Sequence, residues 1–199
     1  MNALQKKRIG TVLKYTWAFY IIGAGLVAFL LSFIFSFAHP VPEYKTLTLF
    51  ACGELNNSKQ LRADLLGKFK EKGLKSFSCI SAKINDSNFN QKLTVAGYSS
   101  ADVFILTDAK LDNLVVSDFA LELSDEMINS LYHGYTLYEK DGVNYGIKVN
   151  KDIVDNYIML PGEPCYFVLS GKSINTGEYS PKQIKEYDMA LTLVKDWGM

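Results

Sequence analysis

The chain has 199 residues, with 21 Lys and Arg against 21 Asp and Glu, a formal net charge of zero, and 48% hydrophobic residues. Four bases and no acid fall in the first 14 residues, which leaves 17 bases against 21 acids beyond them. That acidic remainder excludes a polyanion binder with a basic face, such as a nucleic-acid-binding domain.

From Tyr15 to Pro42 there is no charged residue, and Ala18 to Ala38 is almost wholly apolar. About 20 apolar residues suffice for a helix to cross a bilayer. Residues 18–38 are therefore expected to be a transmembrane helix. Lys6, Lys7, Arg8 and Lys14 precede it, so by the positive-inside rule residues 1–17 stay cytoplasmic and the rest lies outside. A cleaved signal peptide ending near Ser36 and Ala38 is the rival reading, but the apolar run exceeds the roughly 7 to 15 residues of a signal peptide's apolar region. The expected location is the cell membrane, single-pass, with an extracytoplasmic C-terminal domain.

Residues 39–45 read as a proline-bearing spacer and 46–199 as one domain of ordinary size. "KTLTLFACGE" is a first strand that includes Cys52. A helix follows from Ser58 as N-cap to Gly73, with Leu61, Leu65, Leu66 and Phe69 on one face. "SFSCISA" is a second strand, and "DSNFNQKLTVAG" a helix capped by Asp86 or Ser87 and stopped by Gly97. Ala101 to Thr107 forms a third strand, followed by a helix with Leu111, Leu114, Val115 and Phe119 as its apolar positions. Strands alternating with helices imply right-handed crossovers and a mostly parallel sheet. Ligands of such sheets meet the loops beyond the carboxyl ends of the strands.

After "LELSDEMINSLY" the pattern changes. "YTLYEKDGVNYGIKV" is an antiparallel hairpin turning at Lys140, Asp141 and Gly142. A short helix over 151–157, a turn at "LPGEP" and the strand "CYFVLS" come next. The last helix is expected to start at Ser180 as N-cap with Pro181 at N1, and Ile184, Tyr187, Leu191 and Val194 give it an apolar face.

Signatures of catalysis are missing: the chain carries no GxSxG elbow, HExxH helix or P-loop. His133 has no triad partner nearby in sequence, and no Cys/His cluster suggests zinc. No catalytic, metal or cofactor site is assigned. Cys52, Cys79 and Cys165 are an odd number of cysteines, so at least one stays unpaired within the chain. A Cys52–Cys79 disulfide would bridge neighbouring strands if the sheet order is second, first, third; its strained geometry favours two small buried thiols.

"LLGKFKEKG", "VAGYSSADVFIL", "LELSD", "DGVNYGIKV" and the terminal "YDMALTLVKDW", in this order, resemble segments of the extracellular solute-binding proteins of bacterial ABC transporters, in the sugar-binding group. The resemblance implies an α/β fold: a periplasmic-binding-protein-like lobe, here a single-lobe or truncated form behind a transmembrane anchor. It implies a non-catalytic module for a sugar or other small solute, with an ABC transporter permease or another membrane protein as partner. Asp102 would be structural, holding hydrogen bonds at the amino end of a central strand. Members of the family are longer and close two lobes around the ligand; Ser100 and Ala101 replace their usual Ala-Pro, and Val149 stands where Pro is common. Candidate ligand-facing residues at the predicted strand ends are Glu54, Asn56, Asn57, Asn85, Asp108 and Tyr145, with Tyr145 placed to stack on a sugar. Two other readings compete: an interaction protein that binds no small solute, and an exported hydrolase with paired carboxylates.

Overall fold

The computed structural model describes residues 3–38 and 41–199, with side chains omitted at 3–15, 18 and 35–38. It divides into two compact units, residues 1–40 and 41–199. In the first, helix α1 runs Ala3–Ala38. Its described large apolar side chains, among them Phe19, Ile22, Leu26, Phe29 and Phe33, are exposed over about half of their surface or more. Among the described residues no helix is long and apolar enough to cross a membrane; unbroken side-chain description of α1 covers only Phe19 to Ile34. The side chains of the basic residues before the apolar run and of the cleavage-site residues Ser36 and Ala38, and the whole of His39 and Pro40 in the expected spacer, lie outside what is described.

The second unit is built on a six-stranded sheet. Its strands are β1 (Thr46–Ala51), β3 (Ser76–Ser81), β4 (Val103–Thr107), β5 (Leu137–Lys140), β6 (Val143–Lys148) and β8 (Cys165–Leu169), in the order β3-β1-β4-β8-β6-β5. β1 pairs parallel with β3 and β4, whereas β8 runs antiparallel to β4 and β6, and β5 to β6. Four strands thus share one direction and β5 and β8 oppose it. A separate ladder joins β2 (Glu54–Leu55) to β7 (Ile158–Met159). This is the expected α/β class, with the second-first-third strand order and the hairpin. Asp141 and Gly142 take φ of 55° and 80° at the turn, the left-handed pair that a two-residue hairpin requires.

Helix α2 (Ser58–Lys68) is capped by Asn57, whose side chain accepts from the Gln60 N–H. The expected cap, Ser58, is instead its first residue. Leu61 and Leu65 are buried on the sheet, and the chain turns away at Gly73 with φ of 81°. α3 (Phe89–Lys92) opens into a π turn at Leu93–Gly97 and continues as α4 (Tyr98–Ser100). Gly97 therefore does not stop the helix. A Cβ there would come within 3.3 Å of Phe50 and Phe104 and 3.1 Å of Leu93, so the glycine lets the helix approach the sheet.

The helix after β4 is shorter than its apolar spacing suggests: α5 covers only Asp108–Asp112. Lys140 ends it from the hairpin, donating to the carbonyls of Leu111, Asp112 and Leu114, and Val115 is left exposed. α6 (Asp125–Leu131) has Ser124 as N-cap, and α7 covers Lys151–Val154. The last helix, α8, is Met189–Trp197, so the expected start at Ser180 and Pro181 is wrong. Gln183 takes a left-handed φ of 52°, Tyr187 stacks on Tyr44 at 4.5 Å, and its carbonyl accepts from Gly177. These tertiary contacts outweigh the local helix signal.

Asp102 lies at the amino end of β4, in the connection that precedes it, and is buried. One carboxylate oxygen accepts from the Thr48 N–H at 2.8 Å. The other accepts from the Ser173 hydroxyl and from Asn175 Nδ2, and Asn175 Nδ2 also donates to Thr46 O. Burial raises the Asp102 pKa, against the opposing pull of these hydrogen bonds. Asp102→Ala strands three donors and is expected to cost about 2–4 kcal/mol in chemical unfolding. Because the folded pKa is raised, the native state binds more protons than the unfolded chain between the ordinary carboxylate range and the raised value. The stability advantage of wild type over Asp102→Ala should therefore widen as pH falls through that window and level off below the ordinary range. A constant gap across it would show that burial does not govern this carboxylate.

Candidate functional site

The carboxyl ends of β1, β3 and β4 share one edge of the sheet. Beyond it the chain departs through Gly53, Lys83 and Asp108, and β8 enters at Cys165. A groove of about 330 Å³ lies at this edge, lined by Gly53, Glu54, Lys83, Ile84, Asn85, Met159, Leu160 and Pro161. A neighbouring hollow of about 280 Å³ shares Ile84 and is lined also by Asn90, Ala109, Lys110, Asn113 and Leu114.

Local chemistry explains the groove's shape. The β2–β7 ladder pairs Glu54 with Met159 and Leu55 with Ile158, bringing the segment before "LPGEP" over the end of β1. Gly53 permits that approach, since a Cβ on it would meet the Met159 carbonyl at 2.7 Å. Glu54 and Lys83 close to 2.7 Å across the rim, with side chains 47% and 59% exposed. This contact raises the Lys83 pKa. At such exposure the pair is screened and contributes little to stability. Met159 is 51% exposed, an apolar surface beside an amide and an ion pair.

The six sequence-predicted residues divide. Glu54 and Asn85 line the groove. Asp108 lies at the same edge, where α5 begins and its N–H donates to Pro164 O. Asn56 and Asn57 are exposed just past β2, and both N–H groups donate to Tyr157 O; the Asn57 side chain is occupied by the α2 cap and by Gln60 Oε1. Tyr145 stands apart. It is buried in β6 with its hydroxyl 3.5 Å from Glu122, and Glu122 follows the residue bonded to the far end of β8. Tyr145 therefore belongs to the amino end of the parallel strands. Gly146, which follows it, is packed between Tyr138 and Tyr166.

Sequence reasoning missed Lys83, Met159, Leu160 and Pro161. Only the antiparallel β2–β7 pairing, between residues about a hundred positions apart, brings the last three to the groove. His133 is exposed, and among the described residues no group of three or more His, Cys, Asp or Glu is gathered for a metal ion. A polar hollow of about 290 Å³ at the opposite edge includes Thr48, Tyr98, Asp102 and Lys172. Both Asp102 oxygens there already accept from the chain's own donors, which makes the hollow a poorer candidate than the groove.

No family model matches the chain, and a search of curated proteins gives no match. Among solved structures, the chain is similar to the maltose/maltodextrin-binding domain MalE from Bdellovibrio bacteriovorus bound to maltotriose, with 15% identity and a TM-score of 0.37 over 52% of this chain and 28% of that one. It is also similar to an ABC substrate-binding protein from Listeria monocytogenes in complex with cycloalternan, with 17% identity and a TM-score of 0.34 over 56% of this chain and 32% of that one. The chain matches about a third or less of the length of each.

Gly53→Ala should push β7 away from β1, because the obstructing atom is a backbone oxygen. The expected cost is about 1–3 kcal/mol, read as a lower midpoint in urea. An unchanged midpoint would mean that the β2–β7 ladder is not held this closely.

Proposed function

We propose that the chain is a membrane-anchored, extracytoplasmic solute-binding-like module without catalysis. Its ligand is a sugar or another small polar solute for an ABC-type uptake system. The groove at the carboxyl edge carries this reading: it sets polar groups of Glu54, Lys83 and Asn85 around the apolar surface of Ile84, Met159 and Leu160. A sugar ring has matching surfaces, apolar C–H faces and a hydroxyl edge. Binding sites commonly combine such an apolar lining with a few placed polar groups. The order of resembling segments in the sequence supports the same class.

The anchor is proposed from α1. A 36-residue helix is about 54 Å long, more than a bilayer's hydrocarbon core of about 30 Å. Consecutive exposed apolar residues such as Phe19 to Ile22 and Phe29 to Leu31 cover every side of the helix, a pattern that belongs in a membrane or a core. In intact cells the chain should remain in the membrane pellet after alkaline extraction, and protease added outside should remove the C-terminal unit. Release into the soluble fraction would overturn the anchor.

The ligand is tested with the full chain in a detergent that has no sugar headgroup. Melting temperature is followed against monosaccharides, oligosaccharides, amino acids and polyamines. At a hundred times Kd a ligand should add about 2.7 kcal/mol, a rise of about 5–10 °C. Glu54→Gln and Asn85→Ala should each reduce the shift. A cooperative transition unmoved by every compound would overturn solute binding and favour the interaction-protein reading.

A further inference from the structure

The two outer strands of the six-stranded sheet are built differently. β5, on one side, is four residues long, carries Glu139 and Lys140, and shifts register at Tyr138 and Glu139. Short length, charge and irregular register are devices that keep an outer strand from pairing. β3, on the other side, has none of them. Ser76–Ser81 reads SFSCIS, without a charge or a proline, and it pairs with β1 in unbroken register over all six residues.

Only half of the β3 backbone is satisfied within the chain. Ala82 N–H donates to Ala51 O, whereas Thr48 N–H turns the other way, to Asp102. Alternation along the two strands therefore directs the N–H and C=O groups of Ser78 and Ile80 toward β1 and turns those of Phe77, Cys79 and Ser81 outward. Among the described residues no other segment bonds to the outward groups. Ser78 is exposed, and Cys79 and Ile80 are half-buried. Such a row of unpaired donors and acceptors is a template for another strand.

Charge and symmetry select the occupant. An uncharged strand offers no ion pair to a charged foreign segment, but it can pair with itself. We infer that two copies of this chain associate by antiparallel pairing of β3 with β3, about a two-fold axis through Ser78 and normal to the sheet. Such an axis passes through a residue rather than between two, because side chains alternate between faces and opposed residues must share one. The two central positions of the strand are Ser78 and Cys79. An axis at Cys79 sets Lys75 opposite Lys83 of the second copy, and like charges directly opposite are destabilising. At Ser78, Lys75 instead faces Ser81 of the second copy and Ser76 faces Ile80. The outward-turned Phe77 and Cys79 then face each other across the pair and exchange both N–H···O bonds. The two sheets continue as one, with the grooves of the two copies at opposite edges. This pairing is independent of what the groove binds.

The test uses the full chain in detergent. Ser78→Cys is made in a Cys79→Ser background, where the remaining Cys52 and Cys165 are at most 1% exposed. Copper–phenanthroline oxidation should give a disulfide-linked dimer joined through position 78, much faster than Lys172→Cys in the same background, whose exposed site lies away from β3. In sedimentation, wild type should show a concentration-dependent dimer, and Ser78→Lys, which sets two charges opposite each other, should weaken it about fivefold while circular dichroism shows an unchanged fold. Cross-linking at position 78 no faster than at 172 would overturn the inference. A wild-type chain that sediments as a monomer at every concentration would also overturn it, as would a dimer that Ser78→Lys leaves unchanged, since association would then lie elsewhere. Ready linkage of wild type through Cys79 would overturn the axis at Ser78.

Discussion

The charged group on which the domain's architecture turns is the buried carboxylate of Asp102. A carboxylate out of water is costly unless its oxygens are filled by donors, and the donors here come from two distant parts of the chain: a backbone N–H of β1, and a hydroxyl and an amide from the segment after β8. The backbone repeats the link, with Asp102 N donating to Thr48 O and Ser170 N to Asp102 O. Asn175 extends it, because its carbonyl accepts from Ala190 in α8. The Asp102 side chain thus ties β1 to the segment after β8, and Asn175 carries the link on to the last helix. Burial raises its pKa while the three hydrogen bonds lower it, so the balance depends on all three partners staying in place.

That knot lies at the amino end of the parallel strands and helps decide where a ligand can be held. Both Asp102 oxygens at that end are used internally. At the carboxyl end, β1, β3 and β4 release their chains into loops whose side chains are exposed or half-buried, among them Glu54, Lys83, Asn85 and Asp108. Entry of β8 antiparallel beside β4 brings Pro164 and Cys165 to the same edge. The reversal of direction between β4 and β8 therefore brings the start of β8 to the edge that holds the groove, without any local sequence signal.

Elements set by local chemistry were legible in the sequence. The strand before α2 and the Asp141-Gly142 hairpin turn follow from short-range patterns of apolar spacing and turn residues, and the structural role of Asp102 was what the family resemblance implied. Elements set by distant contacts were not. The helix expected from Pro181 is replaced by turns because Tyr187 is held by Tyr44 and Gly177, and α5 is cut short by a lysine from a hairpin 28 residues away. The site shows the same division. Glu54, Asn85 and Asp108 were reachable from the rule that ligands meet strand ends, but Met159 and Leu160 depend on a two-residue ladder, and Tyr145 was drawn to the wrong edge because strand direction fixes which end of β6 it occupies.

The groove's openness limits how it can bind. A ligand lying on it keeps part of its surface in water, so hydrogen bonds to Asn85 compete with solvent, and the exposed Glu54–Lys83 pair yields little by charge alone. Discrimination must then come from shape and apolar contact. Here backbone placement matters more than side-chain charge: the Met159 carbonyl sits where a Cβ at position 53 would collide, and this close approach fixes the height of Met159 and Leu160 against Ile84. A small change in that spacing moves the apolar surface under the ligand, whereas neutralising one rim charge leaves it in place. Any solute held at this edge would therefore depend on the same close approach of Gly53 to β7.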